Sequence, residues 1–163
     1  MSTSTSERTL VLLRHAKAED PGALPDQQRS LTKRGLVDAA AAGAWLAEQG
    51  IAPQLVLCSP ARRTKETWHQ VAGALTEAPE VAYVEELYSG GPWELLELLR
   101  TVTVATVLVI GHNPTLELLA ALLDPEGGDR MRTASFSVHA QAGPWADLGA
   151  RTAPVTATHV SRG

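Results

Sequence analysis

Cysteine is nearly missing from this sequence. Cys58 stands alone among 163 residues, which excludes an internal disulfide and fits a reducing compartment. No apolar run reaches the roughly 18 to 20 residues that a bilayer crossing needs. The opening "MSTSTSER" is polar and lacks the apolar centre of a secretion signal. These features make the cytoplasm the expected location. A basic excess is lacking too: the formal net charge is -4, so nothing in the composition attracts nucleic acid. Aromatic residues make up only 4% of the chain, and Trp45, Trp68, Trp93 and Trp145 read as packing residues, not as a binding platform. What remains, 44% hydrophobic and 20% charged residues, is the composition of an ordinary soluble globular protein. The length suits one domain with a proper core. Residues 1–8 read as a disordered lead and residues 9–163 as a single domain, with no internal repeat or linker.

Leu10–Leu13, "QLVLCS" (54–59) and "ATVLVIG" (105–111) are short, continuously apolar runs and read as buried strands. Between them lie helical segments. The first runs from a Ser30 or Thr32 cap to Gly50, and the second follows Pro60. Further helices are expected over residues 91–102, with Glu94 and Glu97 on the polar face, and after Pro114. A short strand within "EVAYVEEL" (80–87), the alternating "ASFSVHA" (134–140) and "PVTATHV" (154–160) complete the strands. The alternation of strand and helix, with apolar rather than alternating main strands, predicts an α/β three-layer sandwich. Its central sheet is mostly parallel and flanked by helices on both faces.

Ligands in such sheets collect beyond the carboxyl ends of the strands. Three ends carry unusual residues: Arg14 and His15 after the first strand, "SPARR" after the second, and His112 and Asn113 after the third. Arginines offer forked donors matched to phosphate oxygens, and helix starts near Pro60 and Pro114 add backbone donors. A neutral imidazole in that setting can attack phosphorus and carry the phosphoryl group. Neighbouring arginines disfavour the imidazolium and stabilise the transition-state charge. Each feature alone has a plain structural reading: a strand-end histidine, a solvated Arg62–Arg63 face, a turn at "GHNP". A metal site competes poorly, because only two histidines are well placed and the arginines repel a cation. Cys58 reads as a buried, inert thiol. His69 is expected at the surface, and His139 and His159 belong to no motif.

Arg14-His15-Ala16, "SPARRTKET" and "VLVIGHNP" together resemble the histidine phosphatase superfamily, whose hallmark is Arg-His-Gly after the first strand. Ala16 is a departure from that glycine. Asp26, Arg29, Leu31 and Thr32 match the Asp-x-x-Arg-x-Leu-Thr segment of the SixA branch, the small phosphohistidine phosphatases. The resemblance covers residues 9 to 140. It implies a phosphoglycerate-mutase-like fold with His15 as the transiently phosphorylated nucleophile. Arg14, Arg63 and His112 would hold the phosphoryl group, with Arg29 facing the pocket and Asn113 assisting. It implies no metal and no cofactor. Larger members carry an acid that protonates the leaving group. No segment here matches it; Glu86 is the candidate, with Glu85 next, and both fit a surface reading. That lack favours phosphohistidine, whose P–N bond is labile, over an alkyl ester.

The expected activity is thus removal of phosphate from phosphohistidine in a protein, such as a histidine phosphotransfer domain. The alternatives are a phosphatase for small phosphate esters with the same core and a non-catalytic phosphate-binding module. Mutase activity is disfavoured, since the chain is too short for insertions that enclose a small sugar acid. A monomer is the default expectation.

Overall fold

The computed structural model describes residues 7–128 and 130–163. All but Glu7 and Arg8 of the expected N-terminal lead lies outside them, and Arg8 already belongs to the first strand. The strands are β1 (Arg8–Arg14), β2 (Leu55–Cys58), β3 (Glu80–Tyr83), β4 (Thr106–Gly111), β5 (Ser135–Gln141) and β6 (Val155–Val160). They form one sheet in the order β3-β2-β4-β1-β5-β6. The first four are parallel, and β5 and β6 close the sheet as an antiparallel hairpin.

The helices are α1 (Lys33–Glu48), α2 (Arg62–Ala72), α3 (Glu86–Ser89), α4 (Pro92–Leu99) and α5 (Thr115–Leu123). Because side chains alternate along a strand, each strand feeds two cores. Val11, Leu13, Leu108 and Ile110 pack under α1 and α2 with Leu46, Trp68 and Val71. Leu10, Leu12, Val107 and Val109 pack under α4 and α5 with Leu95, Leu99, Leu116 and Leu119. The continuously apolar runs are thus strands covered on both faces.

Thr32 caps α1, its hydroxyl accepting from the Gly35 amide at 2.9 Å, and Gly50 closes the turn beyond at φ +70°. Gly35 is dictated by a close approach: a Cβ there would lie 2.1 Å from the Lys17 carbonyl oxygen. This contact seats the start of α1 on the segment that follows β1. Helices α2 and α5 begin one or two residues later than their prolines suggest. The short α3 has no counterpart in the sequence pattern. Among the tryptophans, Trp68 and Trp145 are buried, but Trp93 is 63% exposed, so the packing expectation is corrected for that residue. It sits at the first turn of α4, outside the buried set of Leu95, Leu96 and Leu99. Trp45 stacks on His159 at a centroid distance of 4.6 Å and packs against Phe136.

Candidate active site

Strand order brings three loops together. β4 lies between β2 and β1, and the backbone ladder continues past the strand ends. The His15 amide donates to Gly111 O (3.1 Å) and the Ser59 amide to Ile110 O (3.1 Å). His15, Ser59 and His112 therefore leave the sheet side by side. Ala134, buried at φ +56°, braces the same edge. Its amide is shared between the carbonyls of Arg14 (3.1 Å) and His15 (3.0 Å), which holds a left-handed conformation that a non-glycine residue adopts at a cost.

His15 is 8% exposed. Its Nδ1 is 2.7 Å from Ala16 O; a carbonyl only accepts, so Nδ1 carries the proton and Nε2 keeps its lone pair. Burial pushes the His15 pKa down to about 3. The Ala16 carbonyl opposes that shift, while His112, Arg63 and Arg14 add to it. The ring is neutral at pH 7. Ala16 itself is fully buried with its backbone outside the left-handed region, so its methyl group meets no conformational penalty. It packs with Leu31, Ala39 and Ala134, and its amide donates to Thr67 Oγ1 at 3.1 Å.

The rings of His15 and His112 stand 5.3 Å apart. Arg63, buried on the first turn of α2, donates through Nη2 to His112 Nδ1 (3.3 Å). A guanidinium has no acceptor, so His112 Nδ1 is unprotonated and Nε2–H donates to Ser59 Oγ at 2.8 Å. Burial, then Arg63, lowers the His112 pKa to about 4, with Asp26 acting against them. Arg63 also donates to Asp26, through Nη1 to its carbonyl (3.0 Å) and through Nη2 to Oδ2 (3.1 Å).

Asp26 opens a short 3-10 turn, Asp26–Gln28, and ties the pocket wall together. It accepts from Arg29 Nη1 at 3.1 Å and from the Tyr88 hydroxyl at 2.7 Å. The Tyr88 hydrogen bond is the largest cause holding its carboxyl down at about 2, followed among the lowering contacts by Arg29 and Arg63. Arg14 extends from the end of β1 to Met131 O (3.1 Å). Burial lowers its pKa, with Glu117 opposing and Arg63 adding. Arg14 Nε and Arg63 Nε are buried without a hydrogen-bond partner, so two guanidinium donors remain unspent here.

The structure thus gathers His15, His112, Arg14 and Arg63, with Arg29 bridged to Arg63 by Asp26. Asn113 spends its amide nitrogen on Glu117 Oε2 (2.9 Å) and Met131 O (2.8 Å). Glu85 and Glu86 are exposed, and Glu86 lines a separate cleft with Trp93, Glu97 and Thr101. Arg62 is exposed and paired with Glu66 at 2.9 Å, and His69 is exposed as expected. Burial pushes the Cys58 thiol up to about 12, an inert state at neutral pH. Sequence reasoning missed Ser59, Thr67 and Tyr88 as pocket residues, and gave Asp26 no role beyond a motif match. Ser59 lay in the quoted "SPARR" segment, whereas no local pattern marks Tyr88.

A sheet edge that brings two neutral imidazoles together with the guanidinium groups of Arg14 and Arg63 has the chemistry to receive an anion. The family model described as histidine phosphatase superfamily (branch 1) matches residues 10–98. The structure of a protein named putative phosphohistidine phosphatase SixA from Nakamurella multipartitia aligns with a TM-score of 0.85 at 35% identity, over 96% of this chain and 97% of that one. The protein histidine phosphatase SixA complexed with tungstate aligns with a TM-score of 0.81 at 25% identity, over 93% and 96% of the two chains. Phosphohistidine phosphatase SixA of Escherichia coli K12 is 32% identical over 128 residues, 76% of this chain and 79% of that protein. The chain belongs to the histidine phosphatase superfamily and is a phosphatase of SixA-like structure. No helix among the described residues is long and apolar enough to cross a membrane.

Proposed function

We propose that the chain removes the phosphoryl group from phosphohistidine carried on a protein, through a transient phosphohistidine on His15. The observation that carries this reading is the fixed tautomer of His15. A proton held at Nδ1 by Ala16 O leaves Nε2 as the only nitrogen able to attack.

The phosphoryl oxygens enter among Arg14, Arg63 and His112. The two unspent Nε donors and the displaceable Arg63–His112 contact meet them. A dianion beside His112 raises its low pKa, and a proton gained at Nδ1 turns that nitrogen from an acceptor into a donor. Nε2 of His15 then attacks phosphorus. The P–N bond of the substrate breaks, and its electron pair stays on the leaving imidazole nitrogen, which takes a proton from solvent. Water next attacks phosphorus, the P–Nε2 bond breaks, and inorganic phosphate leaves neutral His15 behind. Arginines spread along the equatorial oxygens stabilise both transition states. They supply the positive charge in place of a metal, whose own charge they would repel.

The leaving group supports the phosphohistidine reading. Asp26 is already ionised by its three donors and serves as an acceptor, not an acid. Glu86 lies in a different cleft. An imidazole with an ordinary pKa near 6.5 departs without a strong acid, whereas an alkoxide does not. The tungstate complex of a SixA relative fits a pocket that accepts a tetrahedral oxyanion.

The test is phosphate release from a phosphorylated histidine phosphotransfer domain with EDTA present, comparing wild type with His15→Ala. An alkaline quench traps any phosphoenzyme. Release and trapping by the wild type alone are expected. Turnover of an aryl phosphate but not of the phosphoprotein would discard the substrate, and undiminished turnover by His15→Ala would discard the nucleophile.

A further inference from the structure

Beside the pocket runs a basic groove that meets the phosphoryl chemistry at Arg14 and is otherwise unused by it. Arg14, Arg130 and Arg132 line a cleft of about 630 Å³, together with Glu117. Arg14 is the shared wall: its charge acts on both His15 and His112 on one side, and its guanidinium lines the cleft on the other. Among the described residues, three arginines against one glutamate line the cleft and leave it cationic, although the whole chain carries a net charge of -4. The Oε2 of Glu117 is taken up by the Asn113 side chain and the Met131 amide (2.7 Å). Arg130 and Arg132 are exposed, and among the described residues neither pairs with a carboxylate.

A second recess of about 260 Å³ shares Arg130, Met131 and Val160 with the first. It lies over the β5–β6 hairpin, and Ser135, Ser137 and Thr158 line it. Ser135 is 2% exposed and its Oγ has no hydrogen-bond partner. A buried hydroxyl facing a recess without a partner calls for an acceptor. The two recesses form one groove that leads from Arg14 out along the hairpin, cationic at its inner end and hydroxyl-lined beyond.

We propose that this groove binds an acidic segment of the substrate protein next to its phosphohistidine, with Arg130 and Arg132 pairing with carboxylates and Ser135 donating to the segment. The substrate half of this inference rests on the phosphohistidine reading above. The groove itself does not, because Arg130 and Arg132 are not among the residues given a part in the phosphoryl chemistry.

Two measurements test it. A fluorescent peptide with four consecutive glutamates is titrated into wild type and into the double variant Arg130→Gln/Arg132→Gln, with tungstate added to occupy the phosphoryl pocket. Two exposed ion pairs of this kind predict roughly a 2- to 30-fold weaker affinity in the variant, and loss of the difference at high salt. An affinity no better than that of a neutral peptide, or equal in both proteins, overturns the groove. In the second measurement, kcat/KM is compared for phosphohistidine peptides with acidic and with neutral flanks. The wild type should prefer the acidic peptide by a similar factor and the double variant should not, while aryl phosphate turnover stays within about twofold. Equal loss on all substrates would mean that the arginines act on the chemistry, and the proposal falls. If neither phosphopeptide is turned over while the aryl phosphate is, the phosphohistidine reading fails, and the peptide titration still decides the groove.

Discussion

Mild acid should destabilise the ligand-free protein through His15. The unfolded chain has an ordinary imidazole near 6.5, and burial lowers the folded value to about 3. As pH falls, the unfolded state takes the proton first. Stability is therefore lost from about pH 6.5 downward, and the loss ends at the folded value. At pH 5 the unfolded histidine lies 1.5 units below its pKa, which at 1.36 kcal/mol per unit is a loss of about 2 kcal/mol. The folded ring is still neutral there, so the magnitude is set by the unfolded chain. The assay is urea unfolding at pH 7.5 and pH 5.0 for wild type and His15→Asn, whose side-chain N–H can still reach Ala16 O. Carboxylates and the other histidines titrate in both proteins, so the difference between the two pH effects isolates His15. The wild type should lose about 2 kcal/mol more than the variant. Losses that agree within about 0.5 kcal/mol would refute a buried neutral imidazole and, with it, the protonation state on which nucleophilic attack depends.

Three further perturbations address the framework of the pocket. Asp26→Asn removes the charge that orients Arg63, Arg29 and Tyr88, and kcat/KM should fall at least about tenfold with the fold intact by circular dichroism; a change under twofold would mean that Arg63 is positioned without it. Ser59→Ala takes the acceptor from His112 Nε2–H, and urea unfolding should show a loss of about 1 to 3 kcal/mol, whereas unchanged stability would argue against the assigned tautomer. Gly35→Ala forces a methyl group against Lys17 O, and an overpacking cost of about 1 to 3 kcal/mol should lower the melting temperature by several degrees; a neutral substitution would show that α1 can move away.

The sheet and the four principal pocket residues were legible because both rest on local signals. Leu10–Leu13 and residues 107–110 are apolar at every position, which marks a strand covered on both faces, and the charged residues stand where those runs stop. The connections between loops were not legible. Tyr88 and Asp26 lie 62 positions apart and meet through one hydrogen bond, and each sits in a segment too short for any periodicity: a four-residue helix and a 3-10 turn. Only the strand order, with β4 inserted between β2 and β1, places them together. Ala16 shows the reverse case. Its departure from glycine stands out in the sequence, yet its backbone lies outside the left-handed region, so no glycine is demanded there.

The β5 strand exposes what an alternating pattern does and does not say. Its alternation marks a strand with two unlike faces, and the polar residues Ser135, Ser137, His139 and Gln141 are all buried. Alternation reports that the two faces of a strand differ in chemistry; it does not report that one of them meets water. Position in the sheet decides that, and β5 lies between β1 and β6, not at an edge. Its polar face is accommodated by internal partners: Ser137 Oγ donates to His139 Nε2 (2.8 Å), and His139 Nδ1–H donates to Ala153 O (2.9 Å). Burial then lowers the His139 pKa, which keeps the ring neutral so that both bonds persist together. Ser135, at the end nearest the active site, finds no such partner. Gln141 Oε1, at the far end of the strand, is also unpaired, but only the Ser135 hydroxyl belongs to a residue lining the recess that shares Arg130, Met131 and Val160 with the Arg14 cleft, where a bound segment can supply its acceptor.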